Sequence, residues 1–166
     1  MTEHELNEGI KRFATSISQQ QLGLAIYRPV PSALHSMCIE NAKKISELKG
    51  GSIRYGWYFF HKISPAYGDY LVATHHAVWH NPDTLLLVDV TPFHPDKNHH
   101  PIAPGGDVLF LVDDKAKPFE KEQKIIPRPS LFYALGVNDE LLEYVTKLQM
   151  DEYEYYSRTF GIEISA

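Results

Sequence analysis

The sequence predicts an α+β protein: a helix with the only cysteine packs on an antiparallel sheet that carries a histidine and an aspartate, and a C-terminal helix closes the fold. Apolar residues recur at helical spacing near both ends of the chain. The middle instead carries short apolar runs rich in β-branched and aromatic residues, which are typical of strands. Two of these runs, HAVW and TLLLVDV, flank a turn sequence, and this arrangement predicts a hairpin.

The length of the chain favours a single domain. With 166 residues, 43% of them hydrophobic, the chain is long enough to bury a core. We therefore expect one domain over residues 1–166. Its core is expected at about residues 32–114 and its closing helix at about residues 138–158.

Charge and hydropathy exclude several classes of partner. The formal net charge is −5 and no cluster of Lys and Arg overrides it, so we expect no nucleic-acid partner. No apolar run approaches the roughly 18 residues of a membrane span. The N-terminal MTEHELNEGI is too acidic and polar for a signal peptide, so we expect a cytoplasmic protein without a membrane partner. A single cysteine cannot form an internal disulfide.

Two helices are predicted to flank the sheet. The first spans Glu3 to Gln20, and its apolar positions at helical spacing are Leu6, Ile10, Phe13 and Ile17. The last begins after Asn138, whose side chain is suited to cap a helix N-terminus. Its inward positions are Leu141, Leu142, Val145 and Leu148.

The segment from Ser32 to Gly51 is predicted to form the helix that carries the cysteine. Both Ser32 and Ser36 are suited to cap it. If Ser36 is the cap, Cys38 lies in the first turn, where unpaired backbone N–H groups and the helix dipole favour a thiolate. If Ser32 is the cap, Cys38 lies a turn further in and loses much of that benefit. The alternative role is a small, buried, unreactive side chain on the stripe formed by Cys38, Ala42 and Ile45.

Two long strands are predicted before the hairpin turn, IRYGWYFFHK and DYLVATHHAVWH. Gly56 marks either a bulge or a close approach of another backbone. Trp57 and Tyr58 are candidates to line a groove, although core packing is the usual role of such residues. The candidate substrate-binding residues are Trp57, Trp79 and His75.

The length of the hairpin loop decides which side chains share a face. If residues 82–83 form a two-residue loop, His76 lies directly opposite Asp89, with the Cβ atoms roughly 5 Å apart. A bulge at Thr84 would instead place Asp89 on the other face and turn His75 toward the cysteine. Because a β-branched residue is poorly suited to the positive φ of such a bulge, we favour the first register.

This register places a carboxylate beside an imidazole, which is the base-and-orienter half of a nucleophilic triad. Cys38 would then attack an amide or ester carbonyl, His76 would transfer the proton, and Asp89 would fix the tautomer. The acyl acceptor stays open, since water gives a protease, amidase or deamidase and an amine gives a transglutaminase. We expect a protein or peptide substrate and no cofactor. The oligomeric state is not predicted.

The pair HAVW and VDVTP resembles the H-A-W…D-x-T-P signature of transglutaminase-like domains, a branch of the papain-like thiol enzymes. The resemblance implies a helix packed on an antiparallel sheet, with Cys38 as nucleophile, His76 as base and Asp89 as orienter. CIEN is also similar to the C-E-E-N of eukaryotic N-terminal glutamine amidohydrolases. Arylamine N-acetyltransferases share the order Cys, His, Asp, but their RGGRC-type motif is absent here. The pattern C…N…GG…GW…HAVW…DVTP further resembles a group of small uncharacterised bacterial and phage proteins.

Two alternatives to a thiol enzyme stay open. Two sets of histidines could gather a zinc ion, namely His75, His76 and His80, or His94, His99 and His100. Against this, His76 and His80 would lie about 13 Å apart along a strand, and no CxxC or HExxH motif is present. The second alternative is a non-catalytic interaction module with a degenerate fold of the same kind, in which Cys38 would be buried and slow to react.

Overall fold

The structure is a computed structural model that describes residues 1–164. These residues form three α-helices and eight strands, and the predicted α+β class is confirmed. The elements in chain order are α1 (Glu3–Ile17), β1 (Leu22–Tyr27), α2 (Cys38–Lys49), β2 (Ser52–Ser64), β3 (Gly68–His80), β4 (Leu87–Asp89), β5 (Val108–Val112), β6 (Phe119–Lys121), β7 (Lys124–Ile126), β8 (Leu131–Ala134) and α3 (Asp139–Phe160).

Five strands close on themselves in the order β2-β5-β1-β4-β3, because β2 pairs with both β5 and β3. Strand β8 extends this sheet from the first half of β3. The sheet is mixed, since β1 and β4 run parallel, so the prediction of an antiparallel sheet is wrong at this pair. The reason is that LGLAIY, a segment for which no strand was predicted, forms β1 and inserts between β4 and β5.

The long β2–β3 hairpin buries two faces. On one face, Phe13 of α1 packs on Trp57 and Phe59 of β2 and on Leu71 of β3. Helix α2 covers the second half of β3 on the same face, where its Ile39 and Ala42 pack on Ala77. On the opposite face, Val78 of β3 packs with Phe110 of β5. Burial of these apolar side chains supplies the main driving force for holding the helices on the sheet. The hairpin is therefore the scaffold against which α2 is positioned.

The loop between β3 and β4 is longer than predicted. Leu85 N–H donates to Asn81 O at 2.9 Å, Asn81 N–H donates to Leu86 O at 3.0 Å, and Trp79 pairs with Val88. A two-residue loop of the usual types needs φ > 0, which Pro82 cannot adopt, and the positive φ falls on Leu85 at 63° instead. The predicted direct pairing of His76 with Asp89 is therefore wrong.

The shift of register preserves the face of each side chain. The observed register differs from the predicted one by two residues. Because side chains alternate along a strand, a shift of one residue would turn every side chain to the other face, whereas a shift of two residues leaves each side chain on its predicted face. The pairing of Trp79 with Val88, extended by one pair, puts Asp89 across from Val78. Since Val78 and His76 lie on the same face of β3, Asp89 and His76 still share a face and meet as diagonal neighbours.

The helix ends follow the expected chemistry at two of three N-termini. Thr2 caps α1 in a capping box with Glu5, and Asn138 caps α3 as predicted, accepting a hydrogen bond from Leu141 N. Helix α2 begins at Cys38 after Met37, with no side-chain cap, so neither predicted serine plays that role. Residues 1–164 contain no helix with the length and apolar character needed to cross a membrane.

Candidate functional site

Cys38 is the first residue of α2 and is half-buried. The backbone N–H groups of a first helical turn have no partners within the helix, and the positive end of the helix dipole lies there. Ser36, two residues earlier, has a left-handed backbone with φ of 64°, which turns the chain sharply into the helix. The thiol therefore lies at a helix start in a position that solvent can reach.

His76 and Asp89 form a buried hydrogen-bonded pair. The side chains are 4% and 1% exposed, and His76 Nε2 donates to Asp89 Oδ2 at 2.9 Å. The second carboxylate oxygen, Oδ1, accepts from Thr91 N–H at 3.2 Å. With Nε2 engaged by Asp89, the other ring nitrogen, Nδ1, is left for the thiol. The carboxylate thus fixes both the tautomer and the orientation of the imidazole.

The surroundings of His76 hold its pKa well above the ordinary value. Burial alone would lower it, because a buried imidazolium loses its hydration. The Asp89 carboxylate and then the Cys38 sulfur outweigh that penalty by charge and hydrogen bonding. The protonated imidazole is therefore favoured beside the sulfur, and an imidazolium is the partner that stabilises a thiolate.

A second hydrogen-bonded link joins α2 to the aspartate. Asn41, one helical turn after Cys38, donates from Nδ2 to Thr91 Oγ1 at 3.1 Å and to Leu34 O at 2.9 Å. Thr91 in turn holds Asp89 through its backbone N–H. The helix that carries the thiol and the segment that carries the carboxylate are therefore tied together by Asn41. Asn41 is the last residue of the CIEN motif, but nothing in the sequence indicated this structural role.

Tyr58 lies flat against the imidazole of His76, with 4.0 Å between ring centroids and 9° between ring planes. Burial raises the pKa of Tyr58, so its phenol stays neutral at physiological pH. Gly56 is the cross-strand partner of His76 and carries no side chain there. A Cβ at Gly56 would also clash with the carbonyl oxygen of Leu111, so the close-approach alternative for this glycine is the one observed.

His75 points away from the thiol. Its Nε2 donates to Ala116 O, and its Nδ1 accepts from Arg128 N–H at 2.9 Å. Burial lowers the pKa of His75 to about 4, with the charges of Arg128 and His76 acting in the same direction and the bond to Ala116 opposing it. A neutral imidazole satisfies both hydrogen bonds, so His75 joins two loops to β3 as an uncharged residue.

A cavity of about 380 Å³ contains the thiol and the imidazole. Its apolar wall consists of Tyr58, Phe60, Pro92, Phe93, Pro101 and Pro127, and its polar groups include Thr74, Arg128 and Ser130. His75 borders it as well. Trp57 and Trp79 lie elsewhere, in the core, where their Nε1 atoms donate to Asp113 Oδ2 at 2.9 Å and to Gly50 O at 2.8 Å. Of the aromatic candidates on β2, Tyr58 rather than Trp57 reaches the cavity.

Two loop histidines, His94 and His99, also line this cavity. The ring centroid of His94 lies 4.9 Å from that of His35 and 4.9 Å from that of His99. His100 turns away and bonds to the carbonyl of His94 at 2.7 Å. Over residues 1–164, no group of three or more His, Cys, Asp and Glu side chains is arranged to hold a metal ion.

The arrangement has the components of nucleophilic catalysis by a thiol: a sulfur at a helix start, an imidazole, a buried carboxylate and a cavity beside them. The papain-like and transglutaminase-like resemblance suggested by the sequence stays a prediction. No family model, no curated protein and no solved structure matches the chain.

Proposed function

We propose that this protein is a cysteine-dependent acyl-transfer enzyme that acts on an amide through Cys38, His76 and Asp89, in the manner of papain-like and transglutaminase-like enzymes. One observation carries the proposal: a half-exposed cysteine at a helix start shares a cavity with an imidazole that is hydrogen-bonded to a carboxylate 1% exposed. A carboxylate buried this deeply next to a histidine costs free energy of folding unless it is paired. Its position against the only cysteine supports a catalytic role.

In the first half of the reaction, the Cys38 thiolate attacks the amide carbonyl carbon and forms a C–S bond. The backbone N–H of Cys38 is the nearest helix-start donor for the oxyanion that develops. As the C–N bond breaks, Nδ1 of the His76 imidazolium gives its proton to the departing nitrogen. Asp89 keeps Nε2 protonated throughout. The products of this half are a free amine or ammonia and a thioester on Cys38.

In the second half, neutral His76 accepts a proton at Nδ1 from the acyl acceptor. The acceptor oxygen or nitrogen attacks the thioester carbon, the C–S bond breaks, and the thiolate–imidazolium pair is restored. Water as acceptor gives a protease, amidase or deamidase, and an amine gives a transglutaminase. Both reactions use the same three side chains, so hydrolysis and transfer to an amine are both cysteine-dependent acyl transfers.

The first test is the rate of alkylation of Cys38 by iodoacetamide as a function of pH. In the wild type we expect rapid reaction well below about pH 8.5, the ordinary midpoint of a free thiol. In His76→Ala the rate should follow an ordinary thiol titration, and Asp89→Asn should lie between the two. His61→Ala is the matched control, because His61 forms a 2.8 Å pair with Asp69 on the same hairpin and does not line the cavity of Cys38.

The decisive outcome is the difference between His76→Ala and the control. A slow, ordinary titration in the wild type that His76→Ala leaves unchanged would contradict the proposal and favour the non-catalytic interaction module. If the thiol is activated, a screen of amides and glutamine side chains identifies the acyl donor. Full activity of Cys38→Ala on that substrate would equally exclude Cys38 as the nucleophile.

A further inference from the structure

An apolar groove runs along the outer face of α2, beside Cys38. One wall is the segment that leads into the helix, and the other is a stripe of the helix itself. The groove encloses about 320 Å³, and the lining residues that matter for binding are Leu34, Met37, Lys44, Leu48 and Lys49. Met37, which immediately precedes the thiol, places one end of the groove at the candidate active site.

Large apolar side chains stand open to solvent along this groove. Leu34 is 66% exposed, Met37 39% and Leu48 73%. Single exposed apolar residues are common on protein surfaces, but a contiguous set around a concavity marks an interaction site. Methionine adapts its shape to different apolar partners, which suits a recognition surface. The groove therefore has the shape and the chemistry to hold an apolar side chain of another molecule.

The charges at the groove are all of one sign. Lys44 and Lys49 line it, and of the described residues no acidic side chain does so. Neither lysine takes part in an ion pair within residues 1–164. This basic rim stands out on a chain with a formal net charge of −5. It favours an acidic partner, both by attraction on approach and by charge pairing at the edge of the contact.

A second copy of the chain is the less favourable occupant. In a symmetric dimer the same patch meets itself, so Lys44 and Lys49 of one copy would face the same lysines of the other. Like charges at the rim oppose that contact. An acidic segment of another protein is favoured instead, because its carboxylates pair with the lysines while its apolar side chain fills the groove.

We infer that the groove is a docking site for an extended protein segment with an apolar anchor residue flanked by acidic residues. The anchor packs among Leu34, Met37 and Leu48, and the flanking carboxylates lie against Lys44 and Lys49. That this segment belongs to the acyl-donor substrate rests on the proposed function, because the groove ends at Met37 next to the thiol. Binding itself does not depend on the chemistry at Cys38.

Fluorescence anisotropy with labelled synthetic peptides tests the docking site. The probe is a nonapeptide with a central leucine between glutamates, and the comparison peptides replace the leucine by serine or the glutamates by lysines. We expect the acidic leucine peptide to bind, with affinity that falls as salt rises. Leu48→Ser and the pair Lys44→Glu, Lys49→Glu should each weaken binding by about tenfold or more. Leu85→Ser and Lys124→Glu are matched exposed controls away from the groove.

The outcomes separate this inference from the proposed function. Cys38→Ala should bind the acidic leucine peptide as well as the wild type does. No binding of that peptide, or binding that the groove variants leave unchanged, would overturn the docking site while the alkylation of Cys38 still reports on the triad. A chain that is dimeric in light scattering and becomes monomeric on Leu48→Ser would also overturn it, since the occupant would then be a second copy.

Discussion

The Tyr58 ring lies parallel to the His76 ring at a centroid distance of 4.0 Å. The face of an aromatic ring carries negative charge and attracts a cation above it, so the stack favours the imidazolium over the neutral imidazole. The Tyr58 ring therefore acts in the same direction as the Asp89 carboxylate, since both favour the charged form of His76. It also restricts the orientation of an imidazole that must present Nδ1 to the thiol.

Replacement of Tyr58 separates these contributions. Tyr58→Leu should lower the pKa of His76 by about 1, which corresponds to a cation–π interaction of about 1–2 kcal/mol. Tyr58→Phe should leave it close to that of the wild type, because the ring remains. The pKa is measured by NMR from the imidazole Cε1–H signal. An equal fall in both variants would mean that the hydroxyl, and not the ring face, is responsible.

The Asn41–Thr91 hydrogen bond should hold α2 on the aspartate segment. In Asn41→Ala, Leu34 O and Thr91 Oγ1 lose their donor, and we expect a loss of about 1–2 kcal/mol in the free energy of unfolding by urea. Alkylation of Cys38 at neutral pH should slow in parallel. Ser46→Ala is the control, since the Ser46 hydroxyl donates to Lys43 O of its own helix, and its effect should stay within about 0.5 kcal/mol.

A double-mutant cycle isolates this bond from the other effects of each substitution. With Thr91→Val as the second change, we expect a coupling free energy of about 0.5–1.5 kcal/mol between residues 41 and 91. Strict additivity would mean that Asn41 acts only through Leu34 O.

The two neighbouring histidines should give stability opposite dependences on pH. The folded pKa of His75 is about 4 against about 6.5 when unfolded, so the unfolded chain binds more protons between these values. Stability should therefore fall from about pH 6.5 to about pH 4, by up to about 3 kcal/mol. The pKa of His76 is raised, so its contribution is complete below about pH 6.5 and is lost as the pH rises through the folded value.

Urea unfolding between pH 4 and pH 8 measures this profile. His75→Gln should reduce the fall in unfolding free energy between about pH 6.5 and about pH 4, whatever its effect on stability at neutral pH. Substitution of an exposed histidine, His4→Gln, should leave that fall unchanged. If the unfolding free energy of His75→Gln fell just as steeply toward pH 4 as that of the wild type, other groups would be the cause of the fall.

Gly56 should be irreplaceable by alanine. A Cβ there would clash with the Leu111 carbonyl oxygen and lie 2.8 Å from the Phe110 ring, so Gly56→Ala should cost at least about 3 kcal/mol of unfolding free energy. Gly23→Ala, also in a strand, meets nothing closer than a Gln21 side-chain atom at 3.7 Å and should be tolerated. Thermal unfolding of both variants checks the difference, and similar melting temperatures would contradict it.

Periodicity and turn chemistry predicted the helices and the β2–β3 strands because those signals are local. The β3–β4 loop shows the limit of such reasoning: the asparagine and proline at residues 81–82 indicated a turn, but not that the loop would extend to Leu85. The shared face of His76 and Asp89 survived that error, because the register changed by an even number of residues. A one-residue error would have separated them.

Long-range packing could not be predicted from one sequence. Nothing in LGLAIY indicates that β1 would pair in parallel with β4 and antiparallel with β5. The charged segment after residue 113 gave no hairpin signal either, yet β6 and β7 pair around Glu122 and Gln123, which both have positive φ. Asn41 carried no local signal of its contact with Thr91, which lies 50 positions along the chain.

The insertion of β1 between β4 and β5 also orders the events of folding. The β2–β3 hairpin joins strands adjacent in the chain, whereas β1 must find Val88 and Leu111 far along it. Contacts between distant segments form more slowly than local ones. We therefore expect β2, β3 and β4, which carry His76 and Asp89, to pair with one another before β1 inserts. A newly synthesised chain would then join His76 to Asp89 early and close its sheet last, once the chain as far as Leu111 is available to pair with β1.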